Sequence, residues 1–146
     1  MRHFNVLTDS DLKTFFKYSP AEFNRDTERE TLALALGAAL YTPGSKVDFA
    51  QKILSGNYST KAFAGLTTLI ICLEDAVADS ELGQAEENVV GELKKLAAAN
   101  AEQLAAGPVL FLRVRTPEQL DMLIDQAGDA LSVLTGIVFQ IGRAHV

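Results

Sequence analysis

The stretch LTTLIICLEDAVADS, residues 66–80, is an apolar run that stops abruptly at two acidic residues. An apolar run of this length without polar alternation is typical of a β-strand that is buried on both faces. We therefore predict a strand from Leu66 to Leu73 and a loop over residues 74–80. After the loop, apolar residues recur at spacings of three and four and predict a long helix with a buried face of Leu82, Ala85, Val89, Leu93 and Leu96.

A similar strand-to-helix unit precedes this stretch. Residues 38–42 predict a short buried strand, and Pro-Gly-Ser at residues 43–45 predicts a turn. Ser45 and Asp48 have the spacing of a capping box that begins a helix, and Gly56 is placed to end it. The apolar face of this helix is predicted to contain Phe49, Ala50, Ile53 and Leu54.

Two further strands are predicted after the long helix. They are VLFLRVR at residues 109–115 and SVLTGIVF at residues 132–139. Between them Thr116 is a predicted N-cap, Pro117 occupies the first helical position and Gln119 has the spacing of a capping glutamine. The apolar face of this helix is predicted to contain Leu120, Leu123, Ile124 and Ala127.

Strands that alternate with helices predict a parallel sheet of the α/β class, because each helical crossover returns the chain in the same direction. About four such units are compatible with the N-terminal half of a (β/α)₈ TIM barrel or with a small open doubly wound sheet. A whole barrel needs about 250 residues. No GxGxxG or GxxxxGK[ST] motif follows a predicted strand, which excludes the usual dinucleotide-binding and P-loop sites.

Residues 1–36 are predicted to form an N-terminal helical extension, and residues 37–139 the partial barrel domain. The segment SDLKTFF, residues 10–16, predicts a short helix. Thr27 and Glu30 have the spacing of a capping box before TLALAL, and Gly37 is placed just after the end of that helix.

Composition restricts the function classes. The 146 residues are 48% hydrophobic and 22% charged, as expected of a globular domain. No apolar stretch approaches the length of a membrane span and no signal-peptide core is present, so we expect a cytoplasmic protein without membrane association. A net charge of −6 without a Lys/Arg cluster argues against nucleic-acid binding.

Two residue types further restrict the chemistry. The single cysteine, Cys72, lies inside an apolar strand, where a buried and inert thiol is expected. The two histidines, His3 and His145, lie near opposite ends of the chain, so neither a histidine-based zinc site nor a Ser-His-Asp triad is expected. Any chemistry should therefore depend on carboxylates, arginines, backbone amides or a bound metal.

The last segment, QIGRAHV at residues 140–146, back-translates to DNA that contains the start of a common sequencing-library adapter. We predict that this tail, with Arg143 and His145, is not native and that the natural protein continues beyond Phe139. The alternative is a genuine C-terminal tail with frayed polar residues.

Ligands of parallel α/β proteins bind beyond the carboxyl ends of the strands. Gly44 and Ser45 follow the first strand, where Gly44 permits close backbone approach and the amides could bind an anion, although capping alone would explain Ser45. Glu74 and Asp75 follow the second strand and could hydrogen-bond metal-bound water or orient a substrate. The alternative for these acids is a solvated loop.

Arg113 and Arg115 share one face of the third strand with Phe111, because side chains alternate along a strand. In a sheet covered on both faces, such arginines belong near the ligand end or beside acids. Arg113 is therefore a candidate for a bidentate grip on a carboxylate or enolate. An edge strand with one solvated face would show the same pattern.

Four motifs occur together in a recognisable order: LYTPGSKVDFAQKIL (40–54), LIICLEDAV (69–77), FLRVRTPEQL (111–120) and LTGIVF (134–139). Over roughly residues 30–139 the chain resembles the citrate lyase beta-subunit (HpcH/HpaI aldolase) family of carbon–carbon bond lyases. More specifically, it resembles the branch of citrate-lyase-like proteins found alongside tellurium-resistance-type stress genes.

The resemblance implies a TIM barrel, usually oligomeric, that binds Mg²⁺ together with a 2-oxo or 3-hydroxy acid and reacts through an enolate. It implies that Arg113 binds substrate, that Glu74 and Asp75 lie beside the metal–water shell, and that Ser45 lines the first loop. It also implies that the direct metal ligands lie on later strands, beyond the end of this chain. Many members have RVN where this chain has RVR, so Arg115 has no implied role.

Two functions remain open on these grounds. The first is a fragment of an Mg²⁺-dependent lyase or aldolase that acts on a small oxo- or hydroxy-acid or its CoA thioester, inactive as the 146-residue chain and homo-oligomeric when full length. The second is a non-catalytic ligand-binding or scaffold protein of the same fold in a stress-response operon. An independent, doubly wound binding protein is a third, structural alternative.

Overall fold

Four parallel β-strands form one sheet in a computed structural model that describes residues 1–59 and 65–139. The strands are β1 (Ala38–Pro43), β2 (Leu66–Cys72), β3 (Val109–Val114) and β4 (Gly136–Phe139). Their order in the sheet is their order along the chain, as in consecutive strands of a TIM barrel. The predicted α/β class and four-stranded partial barrel are confirmed. The predicted non-native tail lies outside the described residues.

Six α-helices accompany the sheet within the described residues. They are α1 (Asp9–Phe15), α2 (Arg29–Ala35), α3 (Phe49–Leu54), α4 (Leu82–Ala97), α5 (Ala101–Ala106) and α6 (Pro117–Ala127). Helix α5 was not predicted, although Asn100 is its N-cap and accepts a hydrogen bond from the Glu102 amide. None of the helices in the described part of the chain is long and apolar enough to cross a membrane.

The main core lies between the sheet and helices α3, α4 and α6. Strand alternation sends every second side chain of β2 and β3 towards these helices, among them Leu69, Ile71 and Leu112, all fully buried. Leu93 of α4 and Leu123 of α6 meet them from the helical side. The helical spacing read from the sequence therefore identifies the buried faces, except at Ile124 of α6.

The N-terminal extension packs on the opposite face of the sheet. Phe23 and Leu32 form a second apolar cluster with Val109 at the start of β3. The hydroxyl of Thr68 on β2 donates to the carbonyl oxygen of Leu36, 2.7 Å away. The extension therefore lies near the amino-terminal ends of the strands, away from the side chains at their carboxyl ends. The boundary at residue 36 stays a prediction.

Both predicted capping boxes of the first half are wrong. Helix α2 begins at Arg29, and the Glu28 carboxylate accepts from the Thr31 amide in place of the predicted Thr27–Glu30 box. Helix α3 begins only at Phe49, after Asp48 in a left-handed conformation (φ 62°) that makes no side-chain cap. Ser45 therefore does not cap a helix. A distant side chain takes over this function, as described below.

Three predictions of burial or length also need correction. Strand β1 is largely exposed, with Tyr41 at 47%, because it is an edge strand and only β2 pairs with it among the described residues. Strand β4 begins only at Gly136, because residues Gly128–Val133 form a 3-10 helix. Ile124, expected on the buried face of α6, is 47% exposed.

Candidate functional site

The register of β2 and β3 brings Arg113 next to the acids that follow β2. Cys72 and Arg113 are partners in the parallel pairing, and the Leu73 amide donates to the Arg113 carbonyl oxygen at 2.9 Å. Glu74, two residues after Cys72, therefore lies on the Arg113 face of the sheet. The Arg113 Nη2 atom lies 2.5 Å from Glu74 Oε2 and 3.0 Å from Asp75 Oδ2.

This ion-pair cluster is partly shielded from water. The side chains of Arg113 and Glu74 are each 17% exposed, whereas Asp75 is 64% exposed. Desolvation on its own would lower the pKa of Arg113, but the charges of Glu74 and then Asp75 outweigh it and raise that pKa above its ordinary value. Arg113 is therefore a permanent cation at the carboxyl end of the sheet.

Glu74 Oε2 is buried, and the guanidinium of Arg113 lies 2.5 Å from it. Both the charge and the hydrogen bonding of Glu74 act on this arginine. No other described group donates to this oxygen, so it keeps a lone pair for another electropositive group. A ligand at Glu74 therefore shares this carboxylate with Arg113.

Tyr41 borders the cluster and was not identified from the sequence. Its ring centroid lies 5.7 Å from the Arg113 guanidinium carbon, within the range of a cation–π contact. Tyr41 is the register partner of Ile70, and Ile70 in turn pairs with Phe111, so these positions cross the sheet on one level. The alternation of side chains along β1 is the sequence signal that could have identified Tyr41.

Arg115 was identified as sharing the face of Arg113 but had no assigned role. Its Nε donates to the Leu73 carbonyl oxygen at 2.6 Å, and its Nη2 donates to those of Glu74 at 3.3 Å and Val77 at 2.5 Å. Its Nη1 forms an ion pair with Asp79. Arg115 thus binds the backbone of the loop that carries the two acids.

The first predicted loop has a packing function at Gly44. The Gly44 amide donates to the Cys72 carbonyl oxygen at 2.8 Å, and a Cβ at Gly44 would lie 2.6 Å from Leu73 Cδ2. The space that glycine leaves open is therefore filled by the end of β2. Ser45 is exposed, and its hydroxyl makes no hydrogen bond within residues 1–59 and 65–139. Their substrate-binding roles stay predictions.

Two side chains of α4 hold this first loop. Asn88 Nδ2 donates to the Gly44 carbonyl oxygen at 2.7 Å. Glu92, only 2% exposed, accepts from the Ala50 amide at 2.8 Å and so caps α3, which Asp48 leaves uncapped. Neither role has a local sequence signal, because the partners lie more than forty residues apart.

The donor set fits a hard cation only in part. Glu74 and Asp75 offer carboxylate oxygens of the kind that Mg²⁺ binds, directly or through water, and no described group besides Arg113 contacts Glu74 Oε2 as a donor. The described ranges contain no group of three or more His, Cys, Asp or Glu side chains that could hold a metal ion. These two acids can therefore contribute to a coordination shell, and other donors have to complete it.

The fold and the site together can be compared with known proteins. A family profile described as a C–C bond lyase of the TIM-barrel fold matches residues 30–141. The chain belongs to this family of carbon–carbon bond lyases. No curated protein and no solved structure matches the chain.

The match to the lyase family covers all four strands and the whole Arg113 cluster. It confirms the resemblance to carbon–carbon bond lyases that the motifs indicated, whereas the citrate-lyase branch stays a prediction. In this lyase the charged cluster lies at the carboxyl ends of the strands, where TIM-barrel enzymes carry their active sites.

Proposed function

We propose that this lyase chain carries part of the active site of an Mg²⁺-dependent carbon–carbon bond lyase or aldolase. Its substrate is a small oxo- or hydroxy-acid or the CoA thioester of one, and the reaction passes through an enolate. The observation that carries the proposal is the contact of Arg113 with Glu74 and Asp75 at the ligand end of a parallel sheet in a chain of this family.

Arg113 is the substrate-binding residue in this proposal. Its guanidinium presents several N–H donors in one plane, which suits a carboxylate or an enolate oxygen. The neighbouring acids keep it protonated and shielded, and the Tyr41 ring borders it on β1. A positive charge that is already in place lowers the free energy of forming the enolate, because the guanidinium does not have to reorganise when the negative charge develops.

Glu74 and Asp75 are the metal-facing residues. When bound there, Mg²⁺ would polarise the substrate carbonyl oxygen as a Lewis acid. The buried Glu74 would bind the metal or its water through the lone pair that Arg113 leaves unused, and the more exposed Asp75 would hold water or substrate from the solvent side. We assign the remaining metal ligands to later strands of the barrel, so we expect the 146-residue chain to lack turnover.

Gly44 and Ser45 are proposed to line the substrate loop on β1. Asn88 of α4 binds the backbone of this loop, and Glu92 of α4 binds the first turn of α3 that follows it. The exposed Ser45 hydroxyl therefore lies on a backbone segment that is fixed on both sides. The protein is further proposed to act in the cytoplasm and to form a homo-oligomer when full length.

The test is binding of oxalate, whose planar dicarboxylate resembles the enolate of a 2-oxo acid. We expect oxalate to bind the chain in the presence of Mg²⁺. The binding is measured by NMR, as chemical-shift changes at residues 72–75 and 113. Arg113→Met should weaken this binding at least about tenfold, the effect of losing one charge-assisted contact. Arg29→Met, an exposed arginine of the extension, is the matched control.

Two outcomes would contradict the proposal. Oxalate-induced chemical-shift changes at residues other than 72–75 and 113 would contradict the assigned binding site. An oxalate affinity of Arg113→Met equal to that of the wild type would contradict substrate binding by Arg113. Binding by a longer form of the protein without release of pyruvate-like or CoA products would favour the alternative, a non-catalytic ligand-binding protein of this fold.

A further inference from the structure

The loop between β2 and α4 carries both acids of the candidate site but has little regular structure of its own. Residues 73–78 belong to no helix or strand, and within them the Val77 amide donates to the Glu74 carbonyl oxygen at 3.1 Å. Leu73 and Val77 anchor the loop in the core, at 0% and 5% exposure. The carbonyl oxygens of Leu73 and Val77 receive no such local bond and need donors from elsewhere in the protein.

Arg115 supplies those donors. Its Nε binds the Leu73 carbonyl oxygen at 2.6 Å and its Nη2 binds the Glu74 carbonyl oxygen at 3.3 Å. These oxygens belong to the peptide groups on either side of the Glu74 Cα atom. Fixing both peptide planes fixes the backbone dihedrals of Glu74, and with them the direction of its side chain. A third contact, Nη2 to the Val77 carbonyl oxygen at 2.5 Å, closes the loop.

We propose that Arg115 is a positioning residue that sets the Glu74–Asp75 loop against Arg113. The two arginines then have different functions: Arg113 of β3 contacts the carboxylates, and Arg115, the residue after β3, contacts the backbone that carries them. The catalytic meaning of this arrangement rests on the proposed function. The arrangement itself is measurable without substrate.

The planar fork of arginine is what this role requires. Arginine presents five N–H donors at fixed angles and can reach several carbonyl oxygens at once, whereas lysine presents one flexible ammonium group. The ion pair of Arg115 with Asp79 contributes less, because the Asp79 side chain is 94% exposed and solvent screens the attraction. The carbonyl contacts therefore carry the positioning.

The backbone of Arg115 is held in place by Gln119 of α6. Its amide donates to Gln119 Oε1 at 2.7 Å, and Gln119 Nε2 donates to Glu86 Oε1 at 2.6 Å. Gln119 is only 8% exposed. Through this side chain α6 ties the end of β3 to α4, so the base of Arg115 and the end of the loop it binds share one framework.

The experiment compares Arg115→Lys, which keeps the charge and loses the fork, with the control Asp79→Asn, which loses only the exposed ion pair. The readouts are the Arg113 Nε–H resonance and amide hydrogen exchange of residues 74–78. In Arg115→Lys we expect the resonance to shift and the loop exchange to rise about tenfold, as for loss of one buried hydrogen bond. Exchange of residues 89–96 in α4 should stay within about twofold.

Unchanged loop exchange and an unchanged Arg113 resonance in Arg115→Lys would overturn the inference, as would equal effects in Asp79→Asn. A general rise in exchange that includes α4 would show a structural role and not a positioning one. If the variant does not fold, the wild-type chain decides: an Arg115 Nε–H that exchanges as fast as in free arginine would also overturn it. Because no substrate is present, failure here leaves the oxalate test of Arg113 standing.

Discussion

Arg113 of β3 and Glu74 after β2 lie on the same face of adjacent parallel strands, with 2.5 Å between Nη2 and Oε2. The register pair Cys72 and Arg113 determines this distance, because Glu74 is the next residue after Cys72 on that face. A charged pair at the end of a sheet is therefore a direct consequence of strand pairing.

This pair should stabilise the fold as well as serve the site. Arg113→Met leaves Glu74 largely buried without its cation, and we expect it to lower the free energy of unfolding by about 1–3 kcal/mol. The double variant with Glu74→Gln should cost less than the sum of the single changes. Urea denaturation of the four proteins measures this coupling, and strict additivity would contradict it.

Gly44→Ala tests the close approach of the first loop to β2. The new Cβ would lie 2.6 Å from Leu73 Cδ2, so we expect a loss of about 1–3 kcal/mol in the free energy of unfolding. Gly91→Ala is the control, since a Cβ there meets nothing within 4 Å and α4 should gain up to about 1 kcal/mol. Thermal and urea unfolding would contradict the assignment if both variants moved in the same direction.

Glu92 is expected to be the most sensitive polar residue of α4. Glu92→Ala removes the acceptor of the Ala50 amide and opens a small cavity in a buried region, and we expect a loss of about 2–4 kcal/mol. Glu92→Gln keeps an acceptor and should cost clearly less. Unfolding midpoints of the two variants decide this, and equal losses would show that the cap contributes nothing.

The Glu92–Lys95 pair predicts a pH dependence. The hydrogen bond and charge of Glu92 raise the pKa of Lys95 above its ordinary value. A raised pKa in the folded state means that the contribution is complete below the unfolded pKa of about 10.4 and is lost as pH rises through the folded value. Urea midpoints above about pH 10 should therefore fall more in the wild type than in Lys95→Met. Parallel curves would contradict this.

The sequence patterns predicted those features of the fold that depend on local hydrophobic periodicity and on strand direction. The apolar run of β2 and the alternation on β3 were sufficient to place Glu74, Asp75 and Arg113 at one end of a parallel sheet. The two capping boxes failed for different reasons. Helix α2 begins later than the Thr27–Glu30 spacing predicts and is capped locally by Glu28, whereas Glu92 caps α3 from a helix more than forty residues away. The same reason left Arg115 without a role, since its partners are loop carbonyl oxygens.

The charge of the candidate site predicts an order of binding. Glu74 and Asp75 contribute two negative charges against one positive charge of Arg113, so the cluster is −1 before any ligand arrives. An organic acid that approaches Arg113 must compete with both carboxylates, and a divalent cation removes that competition. We therefore expect oxalate to bind the chain measurably only when Mg²⁺ is present.

Asp75→Asn separates this charge effect from other causes. The change brings the cluster to neutrality and removes an exposed partner of Arg113, so oxalate affinity without Mg²⁺ should rise about threefold to fivefold, the scale of one surface charge pair. Asp79→Asn removes a more exposed acid that pairs with Arg115 instead, and the metal-free affinity of this variant should stay near that of the wild type. Titrations that show the same metal-free affinity in all three proteins would mean that the Arg113–Asp75 contact does not govern access to the guanidinium.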